Sequence, residues 1–243
     1  MRHFIAAVVG ATALSITCSP GASAADMPTK APITAPGYNW TGLYVGIQGA
    51  AAWGRISGVQ DFAGDVSGPF KGTGGLFGGT VGYNWQWSNW ITGVEADFAW
   101  AHLTASGNDA AVFPECTAGG LGTCGGTLQS FGTARGRLGY SLGPAMVYGT
   151  IGLGFGRIHD FVSNPTPGTG GATEWNSGLV FGGGVETMLW QNWSAKFEYL
   201  HANLGDGPIA SYFPSPFASI RTNDWRMDVV RAGLNYQFDW HGR

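Results

Sequence analysis

The chain reads as an all-β protein, an eight-stranded antiparallel up-and-down transmembrane β-barrel. Period-two alternation of apolar and polar residues recurs in segment after segment, which gives strands an oily face and a wet face. The connections between these segments alternate between long Gly-rich stretches and turns of two or three residues, as in outer-membrane barrels. After an N-terminal leader, no run approaches the roughly 18 apolar residues of a spanning helix. Strands must therefore make any crossing, and only a closed barrel satisfies their backbone groups in lipid.

Composition agrees. Hydrophobic residues make up 44% of the chain and charged ones 11%, about half the charge of an ordinary soluble domain. The formal net charge of -3 offers no basic surface for nucleic acid. Met1-Arg2-His3, an apolar run from Phe4 to Ile16, and Ala22-Ser23-Ala24 mark residues 1–24 as a secretory signal peptide. Thr17 precedes Cys18 where a lipidation site would carry a small residue, so a lipoprotein is not expected.

Residues 25–41, with Pro28, Pro32 and Pro36, read as an extended periplasmic lead-in to a barrel over 42–238. The first strand, 42–53, turns Leu43, Val45 and Ile47 outward and Tyr44, Gly46 and Gln48 inward. The second, 74–87, and the third, 90–102, flank a tight Ser88-Asn89 turn, with Glu95 and Asp97 inward on the third. The fourth, 128–142, places Arg135 and Arg137 inward and turns at Gly143-Pro144 into the fifth, 145–158. The sixth, 174–189, carries Glu186 inward, and the seventh begins at Trp193 with Lys196 and Glu198 inward. The eighth, 229–238, ends on Tyr236 and Phe238 with Arg231 inward. Stretches 54–73, 104–127, 159–173 and 203–224 are expected to be extracellular loops, and 239–243 a short extension with no periplasmic domain after it.

An eight-stranded barrel is narrow enough for side chains to fill. Glu95, Asp97, Glu186 and Glu198 balance Arg135, Arg137, Lys196 and Arg231, so a lumen ion network is expected, because buried ions need partners. Antiparallel pairing predicts Glu95 opposite Arg137, Asp97 opposite Arg135, Glu186 opposite Lys196, and Glu198 beside Arg231. Apart from small and polar residues, the inward positions are read mainly as Gly and ions, leaving most large residues on the lipid face. Trp85, Trp87, Trp90, Trp190 and Trp193 form one interfacial belt, and Trp53, Trp100, Trp175 and Trp225 the other.

The motifs Ala25-Asp26-Met27-Pro28, Tyr38-Asn39-Trp40-Thr41-Gly42-Leu43-Tyr44-Val45-Gly46 and Arg231-Ala232-Gly233-Leu234-Asn235-Tyr236-Gln237-Phe238 resemble the small outer-membrane immunogenic proteins of alphaproteobacteria. These are surface antigens of the OmpA-like barrel superfamily, often labelled porins. The resemblance implies location in the cell outer membrane, contact with its lipid and lipopolysaccharide, and insertion by the barrel assembly machinery. It also implies an assembly signal at Arg231, Gly233, Tyr236 and Phe238, here followed by five further residues where Phe normally ends the chain. Some relatives are described as haemin-binding, but the resemblance identifies no residues for it.

The remaining chemistry is sparse. His102, His159 and His201 fall near the outer rim, where imidazoles would suit haem or a metal. Their outward parity makes them diverge, which favours interfacial polar residues. Cys116 and Cys124 are expected to form a disulfide that orders the second long loop, contributing roughly 2 to 3 kcal/mol in the chain-entropy model. His201-Ala202-Asn203 offers no hydroxyl for a catalytic dyad, and no cofactor or metal motif is visible. The expected function is structural or surface-interactive, with host or extracellular ligands meeting the loops. The rivals are a small porin and haemin or lipid binding at the rim.

Overall fold

A computed structural model describes residues 38–61, 66–67, 69–107, 123–163, 170–206, 209–211 and 219–238. The strands are β1 (Gly42–Asp61), β2 (Val66–Ser67), β3 (Phe70–Trp87), β4 (Trp90–Gly107), β5 (Thr123–Ser141), β6 (Ala145–Ser163), β7 (Gly170–Trp190), β8 (Trp193–Gly205), β9 (Ile209–Ser211) and β10 (Ser219–Gln237). Eight of them form the wall, each pairing antiparallel with the next, and β10 pairs with β1 to close the cylinder. The short β2 and β9 extend the sheet at the loop end. Closure leaves no unpaired edge within the wall, the condition that lipid imposes. The predicted signal peptide 1–24, lead-in residues 25–37 and extension 239–243 lie outside the described residues.

The short turns lie at one end. Ser88 adopts φ 55° in the two-residue link from β3 to β4, and Gly143 adopts φ 82° between β5 and β6. Such positive φ matches the twist of antiparallel partners. At the other end the wall runs well past the predicted strand ends. β1 reaches Asp61, β6 reaches Ser163, and β10 starts at Ser219. Wall strands of 13 to 21 residues exceed the roughly 9–11 tilted residues that cross a bilayer. The surplus stands outside the membrane, where outward side chains meet water and the apolar alternation that marks the membrane strands fades.

The outward face carries the apolar belt: Ile47, Phe77, Val94, Leu138, Ile151, Leu179 and Phe197 are all exposed. Trp85, Trp87, Trp90, Trp190 and Trp193 ring the short-turn end, and Trp53, Trp100 and Trp175 stand exposed toward the other. Trp225 corrects the expected outer belt. It points inward and is 1% exposed, because odd positions of β10 face the lumen, as Met227, Val229 and Arg231 do.

The lumen holds a second correction. Its loop-end half is filled by large apolar side chains, among them Ile56, Leu103, Leu128, Ile158, Leu204 and Trp225, where mainly Gly and ions were expected. With no lipid inside, inward Leu and Ile pack on one another as in a soluble core. Trp225→Ala opens a cavity in this plug and is expected to cost about 3–5 kcal/mol, whereas the exposed Trp53→Ala costs much less. Chemical denaturation of the barrel refolded into lipid vesicles measures both, and equal losses would contradict the inward placement.

Candidate functional site: the ionic lumen

Below the plug, all eight charged residues of the predicted network are buried inside the barrel. Glu95 is its hub. One oxygen, Oε1, accepts from Arg135 Nη2 and from Arg231 Nη2 at 3.2 Å. The other, Oε2, meets Lys196 Nζ at 2.9 Å, Arg137 Nη1 at 3.4 Å, and the Tyr44 hydroxyl, which donates at 2.8 Å. Asp97 Oδ2 binds Arg135 and Arg231 at 3.0 Å each and accepts from the Thr133 hydroxyl. Glu198 bridges Arg135 Nη1 at 3.0 Å and Arg231 Nε. Glu186 takes Arg137 at 2.8 Å, with Ser194 and Asn235 donating to its other oxygen.

The partners differ from the predicted ones in two places. β4 and β5 pair with Glu95 opposite Arg135, Asp97 opposite Thr133 and Gly93 opposite Arg137, two residues from the expected register. A two-residue slip keeps every side chain on its face, so alternation is blind to it, and the long connection does not fix register as a tight turn does. Glu186 does stand opposite Lys196, yet Lys196 reaches across to Glu95 while Arg137 takes Glu186. In so narrow a barrel, long side chains reach strands that are not neighbours. Arg231 stands opposite Glu198.

Glycine makes the space. A Cβ at Gly152 would lie 2.9 Å from Arg135 Cγ, and one at Gly82 would strike the Tyr44 ring. Toward the short turns, Trp40, Ile91, Met146 and Tyr148 seal the lumen. The Arg137 guanidinium lies 4.1 Å from the Tyr148 ring centroid, a cation–π contact linking the ionic layer to this seal. Trp40 belongs to the stretch expected to be a simple lead-in. Its backbone N–H donates to Gln86 Oε1 at 2.7 Å and its ring is 1% exposed. No periodic pattern marks such a residue, only its size next to a strand start. Above the network, a cavity of about 10 Å³ beside Gln48, Leu76, Asp97 and Phe131 is near the lower limit for one water.

The other sequence candidates lie apart from this site. His102, His159 and His201 sit on β4, β6 and β8 respectively. His102 is exposed, His159 Nδ1 lies 2.8 Å from Thr173 Oγ1, and His201 Nδ1 lies 2.8 Å from Asp228 Oδ1. Among the described residues no three His, Cys, Asp or Glu gather as a metal site. Cys116 lies outside the described residues, and Cys124 is described only as a β5 backbone position opposite Gly107 and Val162. Of the closing motif, Arg231 joins the lumen network. A Cβ at Gly233 would come within 2.8 Å of the Ile47 carbonyl, so the wall needs glycine there. Tyr236 packs edge-on against Trp193 and Phe238, and Phe238 N–H donates to the Leu43 carbonyl. Gly139-Tyr140-Ser141-Leu142-Gly143 has the spacing of a hydrolase nucleophile elbow. It spans a strand end and a short turn, not a strand-to-helix turn, and its serine is buried.

Comparison with known proteins agrees with this architecture. The outer membrane protein beta-barrel domain family matches residues 10–238. The chain is 34% identical over 227 residues to the 31 kDa outer-membrane immunogenic protein of Brucella melitensis, covering 87% of this chain and 88% of that one. It is 32% identical to the 22 kDa outer membrane protein of Rhizobium leguminosarum bv. viciae, covering 72% of this chain and 68% of that one. Among solved structures, the outer membrane protein OprG of Pseudomonas aeruginosa superposes with a TM-score of 0.51 at 16% identity, covering 82% of this chain and 97% of that one, a likeness of fold.

Removing the hub leaves four buried cations short of charge. Glu95→Gln is therefore expected to destabilise the barrel by about 3–5 kcal/mol, and adding Lys196→Met is expected to recover part of that loss. Denaturation midpoints of the single and double variants check this. A double variant less stable than Glu95→Gln alone would contradict the hub assignment.

Proposed function

The chain belongs to the outer membrane protein beta-barrel domain family, and from that premise we propose that it is a closed barrel whose work is done at its outer surface. The observation that carries this reading is the continuous filling of the lumen. An apolar seal around Trp40, the ionic layer centred on Glu95 and the apolar plug around Trp225 succeed one another along the axis. A solute channel needs a hydrated path past all three. Breaking the middle layer strands buried charges, so the filling resists thermal opening.

In this reading the barrel is a structural anchor and a display platform. Its apolar belt meets outer-membrane lipid, its long connections meet extracellular or host ligands, and Cys116–Cys124 ties the second of them. The barrel assembly machinery reads the closing stretch containing Arg231, Gly233, Tyr236 and Phe238. No catalytic role is assigned: His201 is engaged by Asp228, which also accepts from the Tyr199 hydroxyl.

Planar-bilayer recording of the purified barrel is expected to show no stable conductance, and large, reproducible single-channel steps would overturn the closed reading in favour of a small porin. Haemin titration of the refolded protein is expected to leave the Soret band unchanged, since the three histidines stand on separate strands. A saturable Soret shift lost in His102→Ala, His159→Ala or His201→Ala would instead establish haemin binding at the rim.

A further inference from the structure

On the outward face near the loop end, Lys71, Arg55 and Arg226 form a single row across β3, β1 and β10, because Lys71 and Arg226 are both register partners of Arg55. Like charges directly opposite one another destabilise a sheet, and here two such pairs share Arg55. Nearby acids only partly offset them. Asp224 is held by Arg226, and Asp228 is engaged by His201 and Tyr199 while also lying within electrostatic reach of Arg55. Arg55 and Lys71 are exposed and form no hydrogen bond or ion pair among the described residues.

Three further observations define what such a row would bind. The cations border a cavity of about 400 Å³ whose lining includes Trp53, Thr73 and His201. They lie one outward step along β1 beyond the exposed Trp53, which puts them at the level of the outer-leaflet headgroups. Farther down the same wall, an apolar groove of about 540 Å³ is lined by Ile47, Gly49, Phe77, Phe197, Ala232 and Leu234. It exists because outward positions there are small, and a Cβ added at Gly49 would meet nothing within 4 Å.

We propose that Lys71, Arg55 and Arg226 bind the phosphorylated headgroup of lipopolysaccharide, with its acyl chains running down the wall toward the groove at Gly49. Arginine presents a fork matched to phosphate oxygens and lysine a compact charge. The apolar groove below favours an amphiphile over a free anion. The proposal rests on the reading of a barrel that works at its outer surface, and it names the lipid that this surface grips.

The test titrates the full barrel, folded in neutral detergent, with fluorescent diphosphoryl lipid A, dephosphorylated lipid A and inorganic phosphate. Wild type is expected to bind the diphosphoryl form about tenfold more tightly than the dephosphorylated one. Arg55→Gln/Lys71→Gln is expected to erase that difference, and Gly49→Leu to weaken both lipids by filling the groove. Millimolar inorganic phosphate is expected not to displace the lipid. The proposal falls if the double variant binds like wild type, if wild type does not distinguish the two lipids, or if inorganic phosphate displaces lipid A completely. Heat-modifiable electrophoretic mobility verifies that each variant is folded, and the comparison of lipids on wild type needs no variant. A negative result leaves the conductance of the closed lumen untouched, so the two readings fail separately.

Discussion

One buried carboxylate sets the constraint on which the rest of the structure depends. Glu95 lies within ion-pair distance of Arg135, Arg137, Lys196 and Arg231, which come from three different strands. Charges in so confined a space are tolerated in balance and with most of their donors and acceptors occupied. Thr133, Ser194, Asn235 and Tyr44 supply such contacts, while Asp97 Oδ1 and Arg137 Nε have no hydrogen-bond partner among the described residues. The register of the barrel is thereby tied to chemistry. Shifting β4 against β5 by two residues would keep every face intact but move Arg135 away from Glu95.

The layers on either side follow from the same confinement. Where the lumen carries charge, glycines such as Gly152 leave room for long side chains to cross. Where it does not, Leu103, Leu128, Ile158 and Trp225 interdigitate as a dry core. The outer face obeys the opposite solvent. Its apolar side chains remain exposed because lipid receives them, and its aromatics gather toward the two interfaces. One alternating pattern thus serves two environments, and chemistry available to partners is displaced from the lumen to the rim and the outer wall.

How far the sequence could be read depended on which physical rule governed each residue. Alternation marks the faces of the membrane-level strands, because lipid on one side enforces it, and the balance of inward charges marks a network. Its pairings were hidden, since a two-residue slip leaves alternation unchanged and Lys196 crosses the lumen to a strand that is not its neighbour. The plug was hidden for another reason. Above the membrane, outward residues turn polar and small, so the strand ends containing Ile56 and Leu204 lost their signature and read as loops. Trp40 is a large aromatic just before a strand start, and nothing in its local sequence separates an interfacial anchor from a lumen seal. Trp225 shares the parity of inward Arg231 but precedes the predicted start of the eighth strand, so the predicted alternation stops short of it. The row of Lys71, Arg55 and Arg226 needs the register of three strands before it exists at all.

The proposed closure of the ionic layer is reported most directly by its guanidinium protons. In the folded barrel Arg135 Nε–H donates to Thr133 Oγ1 and Arg231 Nε–H to Glu198. Solution NMR of the barrel in micelles, with arginine side chains labelled, measures hydrogen exchange at these two sites. A sealed lumen predicts resolved Nε–H signals that exchange orders of magnitude more slowly than those of exposed Arg55, whereas exchange as fast as at Arg55 would mean that water moves through the lumen and that the barrel is open.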